Sequence, residues 1–170
     1  VARATDKSGN TGDPSPTLTL TIDSSISIPS VPNLNPASDT GSSISDGLTS
    51  DTTPTFSGTA ESNSSVKLYR SGSVQIGSGD ADASGNWSIT SATLTNGSHS
   101  ISAKATDKAG NSSSGSDLLN ITVDTTVSQP TLPDLDSQYD TGLSNSDNKT
   151  SSNTFVVSGT TESYSTVALY

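Results

Sequence analysis

The stretch "SISAKATDKAGN", residues 100–111, combines the two patterns that decide the fold. Its first half alternates polar and apolar side chains, which is the two-residue period of a β-strand with one buried face. Its second half places Asp107, Gly110 and Asn111 together, and these residue types favour a tight turn. The stretch therefore predicts a half-buried strand that ends in a turn at Asp107.

The same phrase occurs near the start of the chain, where "RATDKSGN" spans residues 3–10. The copies are 101 residues apart, and this spacing also relates "LTLTID" (18–23) to "LNITVD" (119–124), "SDTGSSISD" (38–46) to "YDTGLSNSD" (139–147), and "SGTAESNSSVKLY" (57–69) to "SGTTESYSTVALY" (158–170). Self-similarity at a fixed period indicates a tandem repeat. We expect residues 1–24 to be the C-terminal strands of one repeat, 25–125 a complete repeat, and 126–170 the N-terminal strands of the next, within a longer array.

Composition narrows the class of protein. Hydrophobic residues make up 28% of the 170 residues, cysteine is absent, and the formal net charge is −10. Without cysteine there are no disulfides or thiolate metal sites, so stability must come from the core or from hard cations. The negative charge argues against nucleic acid and anionic membranes as partners, and no apolar run is long enough for membrane insertion.

Turn-forming residues punctuate the central repeat about every ten residues, and no segment has helical periodicity. Seven strands are predicted, at about 28–35, 53–60, 65–70, 73–77, 86–93, 98–106 and 116–124. This pattern is typical of an all-β, immunoglobulin-like sandwich. Alternation predicts an inner set and an outer set of side chains. The inner set is Phe56, Val66, Leu68, Trp87, Ile89, Ile101, Ala103, Ala105, Leu119, Ile121 and Val123, and the outer set is Ser100, Ser102 and Lys104.

Four motifs resemble one known family. "TPTFSGTAE" (53–61), "GNWS" (85–88), "ATDKAGN" (105–111) and "ITVDTT" (121–126) are similar to the tandem bacterial Ig-like repeats of very large surface adhesins, including RTX-like non-fimbrial adhesins exported by type I secretion. The resemblance implies an extracellular module, secreted or attached to the cell surface, that serves adhesion and biofilm formation. It also implies neighbouring repeats as partners, a host-cell or matrix receptor bound by other parts of the parent protein, and calcium binding, which several members show.

Acidic residues recur where consecutive repeats should meet. In an immunoglobulin-like strand order, Glu61 and Asp107 follow strands that end at the pole where the chain enters. Asp23 ends the last strand of the preceding repeat, so it should lie at the same junction. Converging carboxylates repel one another unless a cation joins them, and Ca²⁺ accepts about six to eight oxygens in flexible geometry. We therefore predict a calcium site at this junction, with backbone carbonyls and Asn111 completing the shell.

The same prediction extends one repeat further, because Asp124 and Glu162 occupy the positions of Asp23 and Glu61. The alternative is that Asp107 only shapes its turn and that Glu61 is solvated.

A second acidic cluster precedes the second strand and contains Asp39, Asp46 and Asp51. Asp140 and Asp147 repeat the first two positions, whereas Ser152 replaces the third, which weakens Asp51 as a ligand. Two interpretations remain open: a loop held by calcium, or a set of turns held by Asx hydrogen bonds.

Three other motifs do not support an enzyme. "DTGS" (39–42) and the later "DTG" (140–142) resemble aspartic protease loops, but their neighbours are polar and the two copies would lie one repeat apart. "DADASGN" (80–86) imitates an EF-hand loop, yet it has Ser91 in place of the bidentate acid, so a hairpin turn is predicted. His99 is the single histidine and has no nucleophile–acid pair to argue for a triad.

The sequence thus predicts a structural and adhesion module, a calcium-rigidified spacer in a large bacterial surface adhesin. Two alternatives are retained: a repeat that itself binds host glycan or protein, and an accessory Ig-like domain of a secreted polysaccharide-degrading enzyme. A glycan array on the isolated repeat would identify the first, and a catalytic domain elsewhere in the parent protein would identify the second.

Overall fold

The computed structural model describes every residue from Val1 to Tyr170, and it contains β-strands without any helix. The predicted all-β class is therefore confirmed, and no helix is present that is long and apolar enough to cross a membrane. The chain divides into two compact units, Val1–Asp124 and Thr125–Tyr170.

The first unit contains eight strands that form two sheets. Their bounds are β1 Asn33–Leu34, β2 Leu48–Thr49, β3 Thr55–Thr59, β4 Ser65–Arg70, β5 Val74–Asp80, β6 Asn86–Thr90, β7 Gly97–Thr106 and β8 Leu119–Val123. One sheet has the order β1-β3-β6 and the other the order β2-β8-β7-β4-β5. All pairings are antiparallel except that of β2 with β8, which is parallel.

Apolar side chains from both sheets form a single core between them, as the alternation predicted. Phe56 from β3, Leu68 from β4 and Ile101 from β7 are fully buried. The remaining buried members of the core are Leu34, Val66, Ile76, Ala81, Trp87, Ile89, Leu94, Ala103, Ala105, Ile121 and Val123. Of the eleven side chains predicted to face inward, ten are buried, and Leu119 at the start of β8 is partly buried against the core.

Trp87 provides the largest side chain of this core and restricts which residue can lie opposite it on β3. It lies directly opposite Gly58 in the β3–β6 pairing. A Cβ atom at Gly58 would lie 2.5 Å from Cζ2 of the Trp87 ring, which is closer than side chains approach. A residue without a side chain at position 58 therefore makes room for the indole ring.

The first predicted strand, 28–35, is shorter than expected. Only Asn33–Leu34 forms ladder pairs with β3, because Pro29 and Pro32 have no N–H to donate. The neighbouring residues still follow β3 through single hydrogen bonds, from Ser30 N to Thr59 O at 2.9 Å and from Asn35 N to Thr55 O at 2.9 Å. The chain then crosses to the other sheet as β2, a strand that the sequence did not predict.

One residue predicted to face water is buried. Ser102 is 4% exposed although it lies on the outer face of β7. It pairs directly with Tyr69 on β4, and the Lys104 ammonium group lies 5.4 Å from the centre of the Tyr69 ring. A short side chain between such large neighbours is covered by them, so alternation alone predicts its direction but not its exposure.

The second unit repeats the beginning of the first. Its strands are β9 Asp134–Leu135 and β10 Val157–Ser158. Leu135 pairs with Val157 in the same register in which Leu34 pairs with Phe56. Residues 1–24 of the first unit are exposed and form no strand, apart from an isolated bridge between Thr5 and Thr11.

Candidate metal centre

Asp107 begins a turn that its own side chain organises at the end of β7. Its Oδ1 accepts a hydrogen bond from Asn111 N at 2.8 Å, and its Oδ2 accepts one from Asn111 Nδ2 at 2.8 Å. The backbone closes the turn through Asp107 N to Asn111 O at 3.0 Å and Gly110 N to Asp107 O at 3.3 Å. The carboxylate is therefore held in one orientation at the pole of the sandwich.

The same hydrogen-bonding affects the ionisation of Asp107. Partial desolvation by itself would raise the pKa of this carboxyl, but the hydrogen bonds from Asn111, Gly110 and Ala109 outweigh it and hold the pKa below its ordinary value of 3.8. Asp107 is consequently ionised at neutral pH and carries a full negative charge into the site.

Glu61 reaches the same pole from the end of β3. The residues after it form a tight turn, in which Ser64 N donates to Glu61 O at 3.1 Å and Asn63 has a positive φ of 59°. No hydrogen bond is formed by the Glu61 side chain, which is half-buried. Its carboxylate oxygens therefore remain available to a ligand.

Asp23 comes from the segment that precedes the sandwich. Asn111 Nδ2 donates to Asp23 O at 3.1 Å, while Asp23 Oδ1 accepts from Ser25 N at 3.2 Å. Asn111 thus contributes amide N–H groups that link the incoming chain to the turn after β7. Its predicted role as an oxygen ligand stays a prediction. This bridging role has no sequence signature, because Asn serves equally well as a turn former.

These elements bring Asp23, Glu61 and Asp107 together, and we call the three residues the seam cluster. One carboxylate oxygen from each residue lies within 4.8 Å of those of the other two. Asp23 is exposed and the other two are half-buried, so solvent ions reach the site. Three carboxylates at this distance repel one another, and a divalent cation relieves the repulsion because it is attracted to all three.

A family comparison identifies the fold that carries this cluster. The family model of the bacterial Ig-like domain matches residues 25–125. The chain belongs to this family. Bacterial Ig-like domains are generally non-catalytic modules. A search of curated proteins returned no match to this bacterial Ig-like chain.

The counterparts of the seam cluster one repeat later lie in different parts of this bacterial Ig-like chain. Asp124 directly follows β8, and its N–H donates to Thr49 O at 2.8 Å. Glu162 lies in the second unit, where its Oε2 accepts a hydrogen bond from Ser128 N at 2.8 Å. The position equivalent to Asp107 would fall beyond Tyr170.

The second predicted cluster occupies the loop between β1 and β3. Asp46 and Asp51 form Asx turns, in which their Oδ1 atoms accept from Leu48 N at 3.0 Å and Thr53 N at 2.8 Å. Asp39 differs from both because its side chain is 4% exposed and one of its oxygens has no partner. Loop sequences have no periodicity from which such burial can be predicted.

The remaining motifs have structural roles. Asp82 in "DADASGN" organises the turn between β5 and β6, where its Oδ1 accepts from Ser84 N at 2.8 Å and Asn86 N at 2.9 Å. His99 is 8% exposed, and its Nε2 contacts Thr95 O at 2.7 Å.

Proposed function

We propose that this chain is a structural and adhesion module of a large bacterial surface adhesin, in which calcium at the seam cluster stiffens the connection between successive Ig-like repeats. The observation that carries the proposal is the approach of three carboxylates to within 4.8 Å of one another, one from the preceding segment and two from the sandwich. An ion at this position would join two parts of the chain that are separate in sequence.

The chemistry of the cluster favours Ca²⁺ over transition metals. All three side chains offer hard carboxylate oxygens, and neither cysteine nor histidine lies among them. Ca²⁺ accepts ligands at about 2.3–2.6 Å in variable number, so backbone carbonyls and water can fill the rest of its shell. The affinity of extracellular calcium modules, about 10⁻⁴–10⁻³ M, is sufficient for a medium that contains millimolar calcium.

The three carboxylates of the seam cluster would also suit export of the parent protein from the cell. In a cytosol with little free calcium the three carboxylates repel one another, so the junction is flexible. Outside the cell, binding would neutralise the repulsion and rigidify the array. The adhesive contact with a receptor would then belong to other parts of the parent protein. This chain would determine how far those parts extend from the cell surface.

Thermal unfolding of the full chain in calcium and in chelator tests the calcium part of this proposal. With 10 mM Ca²⁺ and a dissociation constant of about 1 mM, mass action stabilises the folded state by about 1.4 kcal/mol. For a domain of this size that corresponds to a rise in the melting temperature of roughly 5–10 °C.

Two variants make the test specific. Glu61→Gln removes one charge from the seam cluster without breaking any hydrogen bond of the fold, so we expect less than half of the calcium-induced rise. Asp117→Asn is the matched control, since it removes an equal charge from an exposed position outside the cluster. A wild-type chain with equal melting temperatures in calcium and chelator would contradict the calcium mechanism, and equal responses of the two variants would place the ion elsewhere.

A further inference from the structure

The outer face of the five-stranded sheet carries two lysines that form no ion pair. Lys67 on β4 and Lys104 on β7 lie directly opposite each other in the antiparallel pairing of these strands. Both side chains are exposed, and neither contacts a carboxylate. The two residues are far apart in the sequence, so only the order of the strands brings them together.

This lysine pair is unexpected in so acidic a chain. The chain contains 17 acidic residues, but Asp80 at the end of β5 is the single acid on the strands of this sheet. Two ammonium groups on directly opposite residues repel each other, because the Cβ atoms of such residues are about 4.5–5.5 Å apart. The net charge of −10 therefore describes the chain as a whole, whereas this face is locally basic.

Tyr69 lies beside the lysine pair on the same face. It follows Lys67 by two residues on β4, so both side chains point to the same side of the sheet. The Lys104 ammonium group lies 5.4 Å from the centre of the Tyr69 ring, where the electrons of the ring attract a cation. The Tyr69 hydroxyl forms no hydrogen bond. Two positive charges, an aromatic ring and a free hydroxyl are thus presented together.

The surrounding part of the face is rich in hydroxyl and amide groups. Ser78 on β5 lies opposite Lys67, and Ser100 Oγ on β7 donates to Asn120 Oδ1 on β8 at 2.7 Å. Short side chains of this kind offer little apolar surface to a protein partner, but they can exchange hydrogen bonds with the hydroxyl groups of a sugar. The Tyr69 ring supplies contact area for a sugar ring. The face therefore suits an extended saccharide that carries negative charge.

We propose that this face binds a linear anionic polysaccharide, with a carboxylate or sulfate held between the Lys67 and Lys104 ammonium groups and a sugar ring against Tyr69. A negative group at this place attracts both lysines and so offsets their mutual repulsion. Double-stranded DNA fits less well, because it carries one charge about every 1.7 Å and two lysines neutralise only a small part of it. Binding of a saccharide goes beyond the spacer role and does not depend on calcium.

Part of this site recurs in the neighbouring repeats. By the spacing of the other repeated motifs, Tyr170 is the counterpart of Tyr69 and Arg3 is the counterpart of Lys104. The second lysine belongs to the central repeat alone, since its counterpart is Ala168. A polymer that contacts several repeats binds more tightly than one contact allows, because every contact after the first is intramolecular. A weak single site is therefore sufficient in an array.

Titration of the ¹⁵N-labelled full chain with a short oligogalacturonate tests the proposal. The titration is made in chelator, so its result does not depend on the calcium proposal. We expect the amides of Lys67, Tyr69 and Lys104 to shift in a saturable manner, and the affinity to fall as NaCl rises from about 0.05 to about 0.5 M. Dextran sulfate offers sulfate in place of carboxylate, and neutral dextran offers neither. Absence of shifts with both anionic probes, or equal shifts with neutral dextran, would overturn the proposal.

Three variants locate the ligand on the sheet. Lys67→Gln and Lys104→Gln should each weaken oligogalacturonate binding roughly three- to fivefold, as expected for the loss of one exposed charge. Lys7→Gln is the matched control, because it removes an equal charge from an exposed position outside the sheet, and it should keep the wild-type affinity. An equal loss in all three variants would show a response to total charge and would contradict the site.

Two further measurements separate a saccharide from a protein ligand. Poly-glutamate carries carboxylates without sugar rings, so it should bind more weakly than the oligogalacturonate. Equal affinity for the two would assign the face to an acidic peptide and overturn the saccharide. Shifts of the same amides that depend on protein concentration without any probe would assign the face to a second copy of this chain, again in contradiction of the proposal.

Discussion

At the scale of single residues, one five-residue pattern builds the same turn at three places. Asp6, Asp82 and Asp107 are each followed by a glycine three residues on and an asparagine four residues on. In each case Oδ1 accepts a hydrogen bond from the asparagine N–H, at 2.9, 2.9 and 2.8 Å respectively. The copy at Asp6 lies in a segment without strands, apart from the bridge between Thr5 and Thr11, so this turn does not require a packed sandwich around it.

The glycine of this turn offers the first prediction. Gly85 has a φ of +84°, and a Cβ there would lie 2.5 Å from Ala60 O. Gly72 has a φ of +75° and open space around it, so it is the matched control. We expect Gly72→Ala to cost about 1 kcal/mol of unfolding free energy, from backbone strain alone. Gly85→Ala should cost about 1–3 kcal/mol more, because the backbone must also move. Urea unfolding of both variants measures the difference, and equal costs would show that the close approach is relieved easily.

The aspartate of this turn determines a dependence on pH. Hydrogen bonds, chiefly from Asn86 and Ser84, lower the pKa of Asp82 below its ordinary value of 3.8. Because the folded-state pKa is the lower one, the stabilisation is fully present above the unfolded-state value. It is lost as the pH falls from about 3.8 through the lowered folded-state pKa. Asp107 contributes in the same direction and the same window.

Urea midpoints measured in chelator between about pH 5 and pH 2 test this dependence. We expect Asp82→Asn to flatten the curve below pH 4, since an amide retains the Oδ1 acceptor but does not titrate. Asp117→Asn controls for the loss of one charge at an exposed position. A curve for Asp82→Asn that keeps the full wild-type slope would contradict the assignment.

At the scale of strands, the close contact between β3 and β6 leaves no space for a side chain at one position of β3. The Trp87 ring covers Gly58, and it is the chain's single tryptophan. Gly58→Ala should therefore destabilise the sandwich by about 1–3 kcal/mol through overpacking, despite the better strand propensity of alanine.

The fluorescence of Trp87 reports this variant directly, because an added methyl group must displace the indole. Gly115→Ala is the control: its Cβ would lie 3.7 Å from Lys104 Cε, an ordinary contact, so we expect little change in stability or emission. An unchanged emission spectrum for Gly58→Ala would mean that the backbone of β3 moves in place of the ring.

At the scale of the whole molecule, the seam cluster would act between two segments of the chain. The seam cluster connects Asp23, in an exposed segment without strands, to a sandwich with a packed core. Asn111 supplies one hydrogen bond across this connection, to Asp23 O. An ion bound by three carboxylates would add a stronger restraint at the same place.

Backbone ¹⁵N relaxation of the full chain measures that restraint. We expect the order parameters of Ile22 to Ser25 to rise from flexible values below about 0.6 in chelator towards about 0.85 in calcium. The rise should be reduced in Glu61→Gln and retained in Asp117→Asn, which removes an equal charge outside the cluster. Order parameters that are indifferent to calcium would show that the cluster does not rigidify the junction.

The sequence by itself determined what depends on neighbouring residues. Of the eleven side chains that alternation predicted to face inward, ten are buried. The turn at Asp107 followed from its Asp, Gly and Asn residues. The shared pole of Glu61, Asp107 and Asp23 also followed, because the order of strands in such a sandwich determines where its loops end. These features depend on local backbone preference and on one topological rule.

Only the tertiary structure decided what depends on contacts between distant segments. The parallel pairing of β2 with β8 joins residues more than seventy positions apart, and nothing in the polar sequence around Leu48 indicates it. Tyr69 on β4 and Lys104 on β7 cover Ser102, so the burial of Ser102 likewise depends on contacts between strands. The burial of Asp39 is invisible in sequence for a related reason: a polar loop has no periodic pattern, so its exposure is set by how the loop folds back on itself.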